Sequence, residues 1–301
     1  MTITHDFLYF KPKNIDEALQ LLSKYKSKVL AGGTDLICYL KENLVAPESV
    51  IDIKALSELT KITVANNMLE IGALVTFSDI LDSKVIAQYF PILQEMAITA
   101  ASVGVRNRAT IAGNICSAVP SCDSAPVLLA CDASVVVRGA DINGENIIPL
   151  TQWFLGPKKT ALKGNEMVTK ILLPLPEGKS AGCYVKLGRY RGEDLAQASV
   201  AIFADQASCK IAFGAVALTP IRAYKIEEAF AKKGCDFSSV LSDAVIAELT
   251  AIIPQIINPI TDIRASKEYR LHMMKVMFER GLKAVQTRMQ NDLPVYGTML
   301  V

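Results

Sequence analysis

The chain has 301 residues, of which 51% are hydrophobic and 21% are charged, and its formal net charge at pH 7 is +2. Because charges of both signs are interspersed, the composition gives no electrostatic basis for binding nucleic acid. No apolar run reaches the roughly 18 residues that a membrane-spanning helix needs, and residues 1–6 lack the pattern of a secretory signal. We therefore expect a cytoplasmic protein of two or three compact domains.

The first half of the chain alternates predicted helices and strands. A helix begins at Asn14, where Glu17 completes a capping-box pattern. Its apolar face is formed by Ile15, Ala18, Leu19 and Leu22. Ser78 is predicted to cap a helix that runs to Ile86, another helix spans about residues 92–101, and a helix-like run begins near Pro126. Strands are predicted at residues 28–30, 49–53, 69–75, 134–138 and 171–174.

A change of pattern near residue 175 indicates a second domain. Prolines and a glycine cluster in Pro174–Lys179, which is typical of a linker. Beyond it, short strands are predicted at residues 183–187, 199–203 and 210–216, and helices at about 226–232, 242–253 and 266–287. In the last helix we expect an apolar stripe to pack in the core. The stripe consists of Tyr269, Met273, Val276 and Met277.

Two glycine-containing segments carry the most specific information. The first is Val29-Leu30-Ala31-Gly32-Gly33-Thr34-Asp35-Leu36, and the second is Thr110-Ile111-Ala112-Gly113-Asn114, which ends the longer stretch Arg106–Asn114. In each, an apolar stretch with β-propensity runs into a glycine turn that carries a threonine hydroxyl. Glycine accepts positive φ and lets backbone N–H groups crowd against an anion. Either segment alone is more often an ordinary strand-to-helix turn, but the two together suit the adjacent phosphates of a dinucleotide such as FAD.

These two segments resemble the paired flavin-binding signatures of the FAD-binding medium subunits of molybdenum hydroxylases, a family that includes the xanthine dehydrogenase and CO dehydrogenase medium subunits. The likeness begins at residues 7–12, continues through 50–53 and 69–73, and ends in 261–270. It implies an α+β fold with a vanillyl-alcohol-oxidase or PCMH-type FAD-binding domain at residues 1–176, made of subdomains at about 1–55 and 56–176. A small C-terminal domain like that of the CO dehydrogenase flavoprotein would follow at 177–290, with a three-stranded antiparallel sheet and helices, and residues 291–301 would form a tail.

The resemblance also implies which residues bind FAD. Amides around Gly32 and Gly33 and the hydroxyl of Thr34 would bond the pyrophosphate, and Ala112 stands where a second glycine is common in the family. The positions assigned to non-covalent FAD binding are Val29, Leu30, Ala31, Gly32, Gly33, Thr34, Asp35, Leu36, Ala100, Thr110, Ile111, Ala112, Gly113, Asn114, Asp123, Val168, Lys186, Asp194 and Leu195.

Two of these positions leave alternatives open. Asp123 would bind ribityl hydroxyls, or it would cap the helix near Pro126, and its two oxygens would allow both. Lys186 would place a positive charge near the pyrimidine edge of the flavin and raise its midpoint potential, or it is a solvated surface lysine.

The segment Gly188–Ala196 resembles the family's segment beside the isoalloxazine ring. CO dehydrogenases place a tyrosine after the aspartate of this segment, and their first glycine loop reads Ala-Gly-Gly-His-Ser. This chain instead has Leu195 after Asp194, and Thr34-Asp35 in the loop. The resemblance is therefore closer to the xanthine dehydrogenase branch, which implies hydroxylation of a purine or another aromatic N-heterocycle and a place in purine catabolism.

The sequence predicts that the remaining cofactors lie in partner subunits. Its seven cysteines lack paired CxxC spacing; Cys116, Cys122 and Cys131 are separated by five and eight residues with no fourth cysteine nearby, and the chain has two histidines. The resemblance implies a small subunit with two 2Fe–2S clusters, a large molybdopterin subunit, and NAD⁺ or another electron acceptor. No residue of this chain needs to be a catalytic acid, base or nucleophile, because the flavin carries the redox chemistry.

Two other functions are compatible with the same fold. A self-contained flavin oxidoreductase would need an acid or base beside the flavin, for which Tyr190 and Glu193 are the candidates. A binding scaffold that had lost FAD would not need both glycine segments intact.

Overall fold

The computed structural model describes residues 2–141, 144–190 and 193–291. It confirms the α+β fold class. The N-terminal unit has a three-stranded parallel sheet in the order β1-β3-β2 with two helices. Its elements are β1 (Leu8–Phe10), α1 (Ile15–Lys24), β2 (Ser27–Leu30), α2 (Leu36–Lys41) and β3 (Ser49–Asp52).

Helix α1 forms as the sequence predicts. The Asn14 side chain accepts a hydrogen bond from the Glu17 backbone N–H at 2.8 Å, which satisfies a donor of the first turn. The Glu17 carboxylate accepts from the Lys13 N–H, one residue before the expected capping-box partner. The predicted apolar face is buried against Ile51 of β3 and Ile53, which follows that strand.

The second unit contains a five-stranded antiparallel sheet in the order β4-β5-β10-β6-β7, together with a two-stranded hairpin of β8 and β9. The strands are β4 (Ile62–Ala65), β5 (Met68–Gly72), β6 (Ser134–Gly139), β7 (Asn146–Pro149), β8 (Phe154–Gly156), β9 (Lys159–Thr160) and β10 (Glu166–Pro174). The helices are α3 (Phe77–Asp82), α4 (Lys84–Tyr89), α5 (Pro91–Thr99), α6 (Val103–Arg106), α7 (Ile111–Ser117) and α8 (Ser124–Ala130).

The helix predicted from Ser78 to Ile86 is wrong, because this stretch forms two helices. Thr76 caps α3 in a capping box with Asp79. The Ser83 hydroxyl then accepts from the Ile86 N–H at 3.2 Å, and Ser83 itself has an extended backbone. A serine that caps a new helix ends the previous one. The apolar pattern continues across Ser83, so it does not show this break.

The C-terminal unit has an antiparallel sheet in the order β11-β12-β13-β14, with helices after it. Its elements are β11 (Ala181–Leu187), β12 (Ala198–Ala204), β13 (Cys209–Gly214), β14 (Ile221–Arg222), α9 (Tyr224–Lys232), α10 (Asp243–Thr250) and α11 (Lys267–Gln290). The sheet thus has a two-residue fourth strand beyond the expected three. The predicted tail begins at Asn291, and residues 292–301 lie outside the described residues.

The apolar stripe predicted for the last helix is partly confirmed, because Met277 is buried and Met273 packs against the core. Tyr269 is exposed, whereas Met274 and Phe278 are buried on the face that packs on the sheet. Arg270 is also on the buried face, because its guanidinium donates to the Gln197 carbonyl and to the Asp262 carboxylate. These partners satisfy a buried guanidinium, and apolar periodicity alone does not reveal such a position.

The second and C-terminal units share a polar junction. Arg288, near the end of α11, donates to both carboxylate oxygens of Glu95 on α5, at 3.0 and 2.9 Å, and to the Gly182 carbonyl. The same Glu95 carboxylate accepts from the Tyr184 N–H at 3.1 Å. These bonds fix β11 against α5. Within the described residues, no helix is both long enough and apolar enough to cross a membrane.

A second part of the junction gives a pH prediction. Burial alone would raise the pKa of Asp132, but hydrogen bonds from Lys210 and Arg222 hold it below its usual value. The carboxylate therefore stabilises the fold above its unfolded pKa of about 3.9, and this contribution is lost as the pH falls through the lower folded value. We expect Asp132→Asn to lower the urea midpoint near neutral pH, and the difference from wild type to shrink below about pH 4.

The substitution is matched in backbone, because Asp132 has φ +50° and asparagine tolerates the left-handed region as aspartate does. Asp16→Asn is the control, since Asp16 is 76% exposed in its pair with Arg138. A loss of stability for Asp132→Asn that is the same at neutral and acidic pH would contradict the prediction.

Candidate functional site

The first glycine segment connects β2 to α2 and needs glycine at two positions for different reasons. Gly33 has φ +81°, a conformation that side chains with a Cβ rarely adopt. A Cβ on Gly32 would lie 1.9 Å from the carbonyl oxygen of Arg108 and 3.1 Å from the Cα of Ala109. Gly32 is therefore in direct backbone contact with the residues that precede the second segment. The two segments predicted to bind one ligand lie together.

The second segment is a helix start rather than a strand that runs into a glycine turn. Thr110 is extended and its Oγ accepts from the Gly113 N–H at 2.9 Å, so that Ile111–Asn114 form the first turn of α7. The prediction of a glycine loop over residues 110–114 is wrong, because threonine is a strong N-cap and Ile111 and Ala112 bury their side chains in the core. Gly113 keeps negative φ, and its amide is already bonded. Ala112 also has negative φ, as a residue in the first turn of a helix does.

A side-chain bond also joins the helices that follow the two segments. The Ser117 hydroxyl at the end of α7 donates to the carboxylate of Asp35, which occupies the N-cap position of α2. In the first turn of α2 the Ile37 N–H donates to the Gly33 carbonyl at 3.1 Å, and the other first-turn N–H groups carry partial positive charge. An anion beside Gly32 and Gly33 would therefore meet backbone donors.

A buried polar cluster lies where the C-terminal sheet meets the second unit. The Asp123 carboxylate accepts from the Tyr184 hydroxyl at 3.0 Å and from Lys186 Nζ at 2.9 Å. Lys186 Nζ also donates to the Thr99 carbonyl at 3.0 Å. The alternative roles predicted for these residues, a solvated surface lysine and a helix N-cap, are both wrong. The Lys186 side chain is 7% exposed and is not a surface charge, and Asp123 makes no side-chain cap to α8. Asn114 Oδ1 instead accepts from the Ser124 N–H and hydroxyl.

The electrostatics of this cluster differ from those of a lone lysine. Burial raises the pKa of Asp123, and the charge and hydrogen bond of Lys186 oppose that shift. Burial also raises the pKa of Tyr184 well above its usual value, so its hydroxyl remains a neutral donor. The ionised Asp123–Lys186 pair has no net charge. Lys186 was predicted to place an unpaired positive charge near the flavin; in the structure its charge is paired with Asp123.

The other predicted positions are placed as follows. Ala100 is buried at the end of α5, next to the Thr99 carbonyl that Lys186 binds. Val168 is buried on β10, in the hydrophobic core that also contains Ala100. The Asp194 carboxylate accepts from the N–H groups of Arg189 and Leu195, at 2.6 and 2.9 Å.

These bonds fix a short loop. They hold the pKa of Asp194 below its usual value against the opposing effect of partial burial. Leu195 is 50% exposed on this loop. Arg191 and Gly192 of the same segment lie outside the described residues.

Family comparison decides the identity. Residues 4–176 match the family model described as the FAD binding domain in molybdopterin dehydrogenase, and residues 183–285 match the CO dehydrogenase flavoprotein C-terminal domain. The chain belongs to the FAD-binding medium subunits of the molybdenum hydroxylases. Its cofactor is FAD, and the other cofactors of such complexes lie in partner subunits.

Individual relatives agree with this assignment. The glyceraldehyde dehydrogenase medium chain of Sulfolobus acidocaldarius is 31% identical over 286 residues, which cover 93% of this chain and 98% of the relative. A putative xanthine dehydrogenase FAD-binding subunit of Escherichia coli is 28% identical, with 90% of this chain and 93% of the relative covered. The solved structure of carbon monoxide dehydrogenase from Hydrogenophaga pseudoflava lacking the Mo-pyranopterin moiety has a TM-score of 0.88 at 30% identity, covering 96% of this chain and 100% of that chain.

The residues present in this FAD-binding subunit fit the cofactor. Gly32 packs its backbone against the Arg108 carbonyl and Gly33 has positive φ, so the first segment makes a tight backbone turn of the kind that presents N–H groups to a phosphate. Asp123 uses one hydrogen bond on each carboxylate oxygen, so each oxygen keeps a lone pair for a ribityl hydroxyl. Its side chain is 14% exposed and within reach of a ligand.

Sequence reasoning missed Tyr184, the third member of this subunit's polar cluster. Tyr184 and Lys186 are two residues apart on β11 and therefore point to the same face of the sheet. This period of two was visible in the sequence, and it would have associated a buried tyrosine hydroxyl with the lysine. The position of their shared acceptor, Asp123, was not visible, because it lies 61 residues away from Tyr184.

Proposed function

We propose that this chain is the electron-transfer subunit of a xanthine dehydrogenase-like molybdenum hydroxylase. It would receive electrons from the two 2Fe–2S clusters of a small subunit and deliver them to NAD⁺ or another acceptor. The observation that carries the proposal is the contact of the two glycine segments at Gly32 and Arg108, together with the buried Asp123–Lys186 pair. FAD supplies the redox chemistry, taking electrons singly and releasing them as a hydride or one at a time.

The protein's own groups bind and orient the cofactor. Backbone amides at Gly32 and Gly33 and the Thr34 hydroxyl would hold the pyrophosphate, and many such neutral donors together give the affinity. Asp123 would accept the ribityl hydroxyls, while Lys186 and Tyr184 keep its carboxylate in place. Neither histidine nor cysteine is needed for attachment, so the FAD is proposed to be non-covalent.

The substrate class rests on Thr34-Asp35 and on Leu195. We place the complex with purine or aromatic N-heterocycle hydroxylases of purine catabolism, whose substrate would bind in the large molybdopterin subunit. The relatives named for glyceraldehyde and carbon monoxide indicate that the same FAD-subunit fold serves other substrates. All seven cysteines are free thiols, which accords with a cytoplasmic complex.

The geometry does not favour the self-contained flavin oxidoreductase. The Tyr190 hydroxyl donates to the Glu193 backbone carbonyl at 3.0 Å, and both side chains are exposed. A general acid or base must lie within hydrogen-bond distance of the bound substrate, and its pKa must suit the proton transfer. These two exposed residues form a local turn instead.

Leu195 provides the test of acceptor and substrate. In the reconstituted three-subunit complex, we expect xanthine or a related heterocycle to drive NAD⁺ reduction. Leu195→Tyr should slow NAD⁺ reduction by about tenfold, about 1.4 kcal/mol, because a stacked aromatic ring blocks a nicotinamide more than an aliphatic side chain does. Reduction of a small dye acceptor should be unchanged.

Leu218→Tyr is the matched control, since Leu218 is 70% exposed on another loop. Equal NAD⁺ rates for wild type and Leu195→Tyr would contradict the role of this position. Turnover with carbon monoxide or an aldehyde, and none with any N-heterocycle, would contradict the substrate class.

A further inference from the structure

Two cationic side chains, one from α6 and one from the C-terminal sheet, bind the turn between α5 and α6. Arg106, the last residue of α6, directs Nη1 at the carbonyl oxygens of Ala100 and Ala101, at 2.9 and 2.6 Å, and lies 3.4 Å from that of Ile98. Lys186 Nζ, from the C-terminal sheet, binds the neighbouring Thr99 carbonyl. The carbonyls of Ile98 and Thr99 are the last of α5, and Ala100 is its C-cap; the partial negative charge at a helix C-terminus attracts cations.

The turn has an unfavourable backbone that needs this support. Ala101 has φ +41°, although it has a Cβ and is not glycine. Residues of this kind persist in the left-handed region only where the surroundings hold them there. The shortest of the Arg106 hydrogen bonds goes to the carbonyl of Ala101 itself. Arg106 therefore fixes the shape of the turn that contains Ala100.

Arg106 also lies four residues before Thr110, the first residue of the second glycine-containing segment. Two residues later, the Arg108 carbonyl lies against Gly32. The Ala109 carbonyl accepts from the Phe77 N–H, and the Ile111 N–H donates to the Val75 carbonyl, so this stretch is anchored to the second unit. The side chain of Arg106 thus connects the Ala100 turn to the contact between the two glycine segments.

We propose that Arg106 is a positioning residue for the flavin, acting through the Ala100–Ala101 turn without touching the cofactor. The inference rests on the proposed placement of the flavin beside Ala100. Arginine suits this role because its planar guanidinium serves several carbonyls in a fixed geometry, whereas lysine is a flexible point charge. Loss of the side chain should leave the turn free to relax, which changes the wall of the flavin site.

The test uses the full-length chain with Arg106→Met, Arg106→Lys and the control Arg138→Met. Arg138 is an arginine of the same unit whose ion pair with Asp16 lies on the surface. We measure the dissociation constant of FAD, the visible circular dichroism of the flavin at saturating FAD, and the urea midpoint of the apoprotein. Arg106→Met should weaken FAD binding at least about tenfold relative to Arg138→Met and alter the flavin spectrum. Arg106→Lys should recover part of the affinity.

The outcomes separate positioning from general stability. Wild-type affinity and spectrum in Arg106→Met would overturn the inference, and so would a lower urea midpoint with unchanged FAD binding. If Arg106→Met does not fold, Arg106→Lys decides, since unchanged affinity and spectrum in that variant overturn the role. A wild-type chain that binds no FAD would contradict the proposed function itself, which distinguishes the two failures.

Discussion

Gly32→Ala is expected to abolish FAD binding while the three units stay folded. The new Cβ would lie 1.9 Å from the Arg108 carbonyl oxygen and 2.7 Å from its carbon, both backbone atoms that have no rotamer to change. The two glycine segments must then move apart, and donors that converge on one pyrophosphate no longer do so. We expect the FAD affinity to fall by at least about a hundredfold, about 2.8 kcal/mol. Fluorescence titration of the apoprotein measures it.

Two further glycines make this experiment specific. Gly164→Ala is the control, because a Cβ there would meet nothing within 4 Å and the residue has no positive φ. Gly33→Val should also lose FAD, but through φ +81° and contacts with the Leu30 and Ile37 side chains at 3.0 and 3.4 Å. Full flavin occupancy in Gly32→Ala would show that the contact with Arg108 is only a tight turn and has no part in binding.

Asp123→Ala should lose both FAD and stability, and a double mutant should separate the two effects. The single substitution leaves Lys186 buried without its carboxylate, and removing one partner of a buried ion pair costs about 3–5 kcal/mol. Asp123→Ala/Lys186→Met removes both charges and should recover most of the free energy of unfolding. FAD binding should not recover, because the acceptor for the ribityl hydroxyls is still missing.

Urea unfolding of the apoproteins and FAD titration of the same samples provide the measurement. Asp16→Ala serves as a control for loss of an exposed carboxylate. If the double mutant regained FAD affinity together with stability, Asp123 would be a structural residue alone. If the single mutant were as stable as wild type, the Asp123–Lys186 pair would not be a buried ion pair in solution.

Local patterns of the sequence predicted the fold well. The Asn14 cap and its apolar face predicted α1, and the strands predicted at residues 183–187 and 199–203 are β11 and β12. Failures occurred where a polar side chain overrides the apolar pattern. Ser83 divides a predicted helix in two, and Arg270 rather than Tyr269 is buried in the first turn of the last helix. Both effects depend on a hydrogen bond that hydrophobic periodicity does not contain.

The candidate site was only partly accessible from the sequence. The first segment needs glycine for a reason that is local, the positive φ of Gly33, but Gly32 is required by a contact with a residue 76 positions later, Arg108. A threonine at position 110 is a recognisable N-cap signal, but the resemblance to a flavin-binding glycine loop predicted a loop there instead of a helix start. Lys186 looked like a lone charge, because its partner Asp123 lies 63 residues away. Long-range pairing of this kind comes from the tertiary fold.

The most direct test of the account is whether substrate reduces the flavin only in the assembled complex. The FAD-loaded 301-residue chain and the complex reconstituted with the iron–sulfur and molybdopterin subunits are each mixed anaerobically with xanthine or another N-heterocycle, and the flavin absorbance is followed. We predict bleaching in the complex and none in the isolated chain, which should still accept electrons from NADH or dithionite. Substrate-dependent bleaching of the isolated chain, free of metal, would contradict the account and establish a self-contained flavin oxidoreductase.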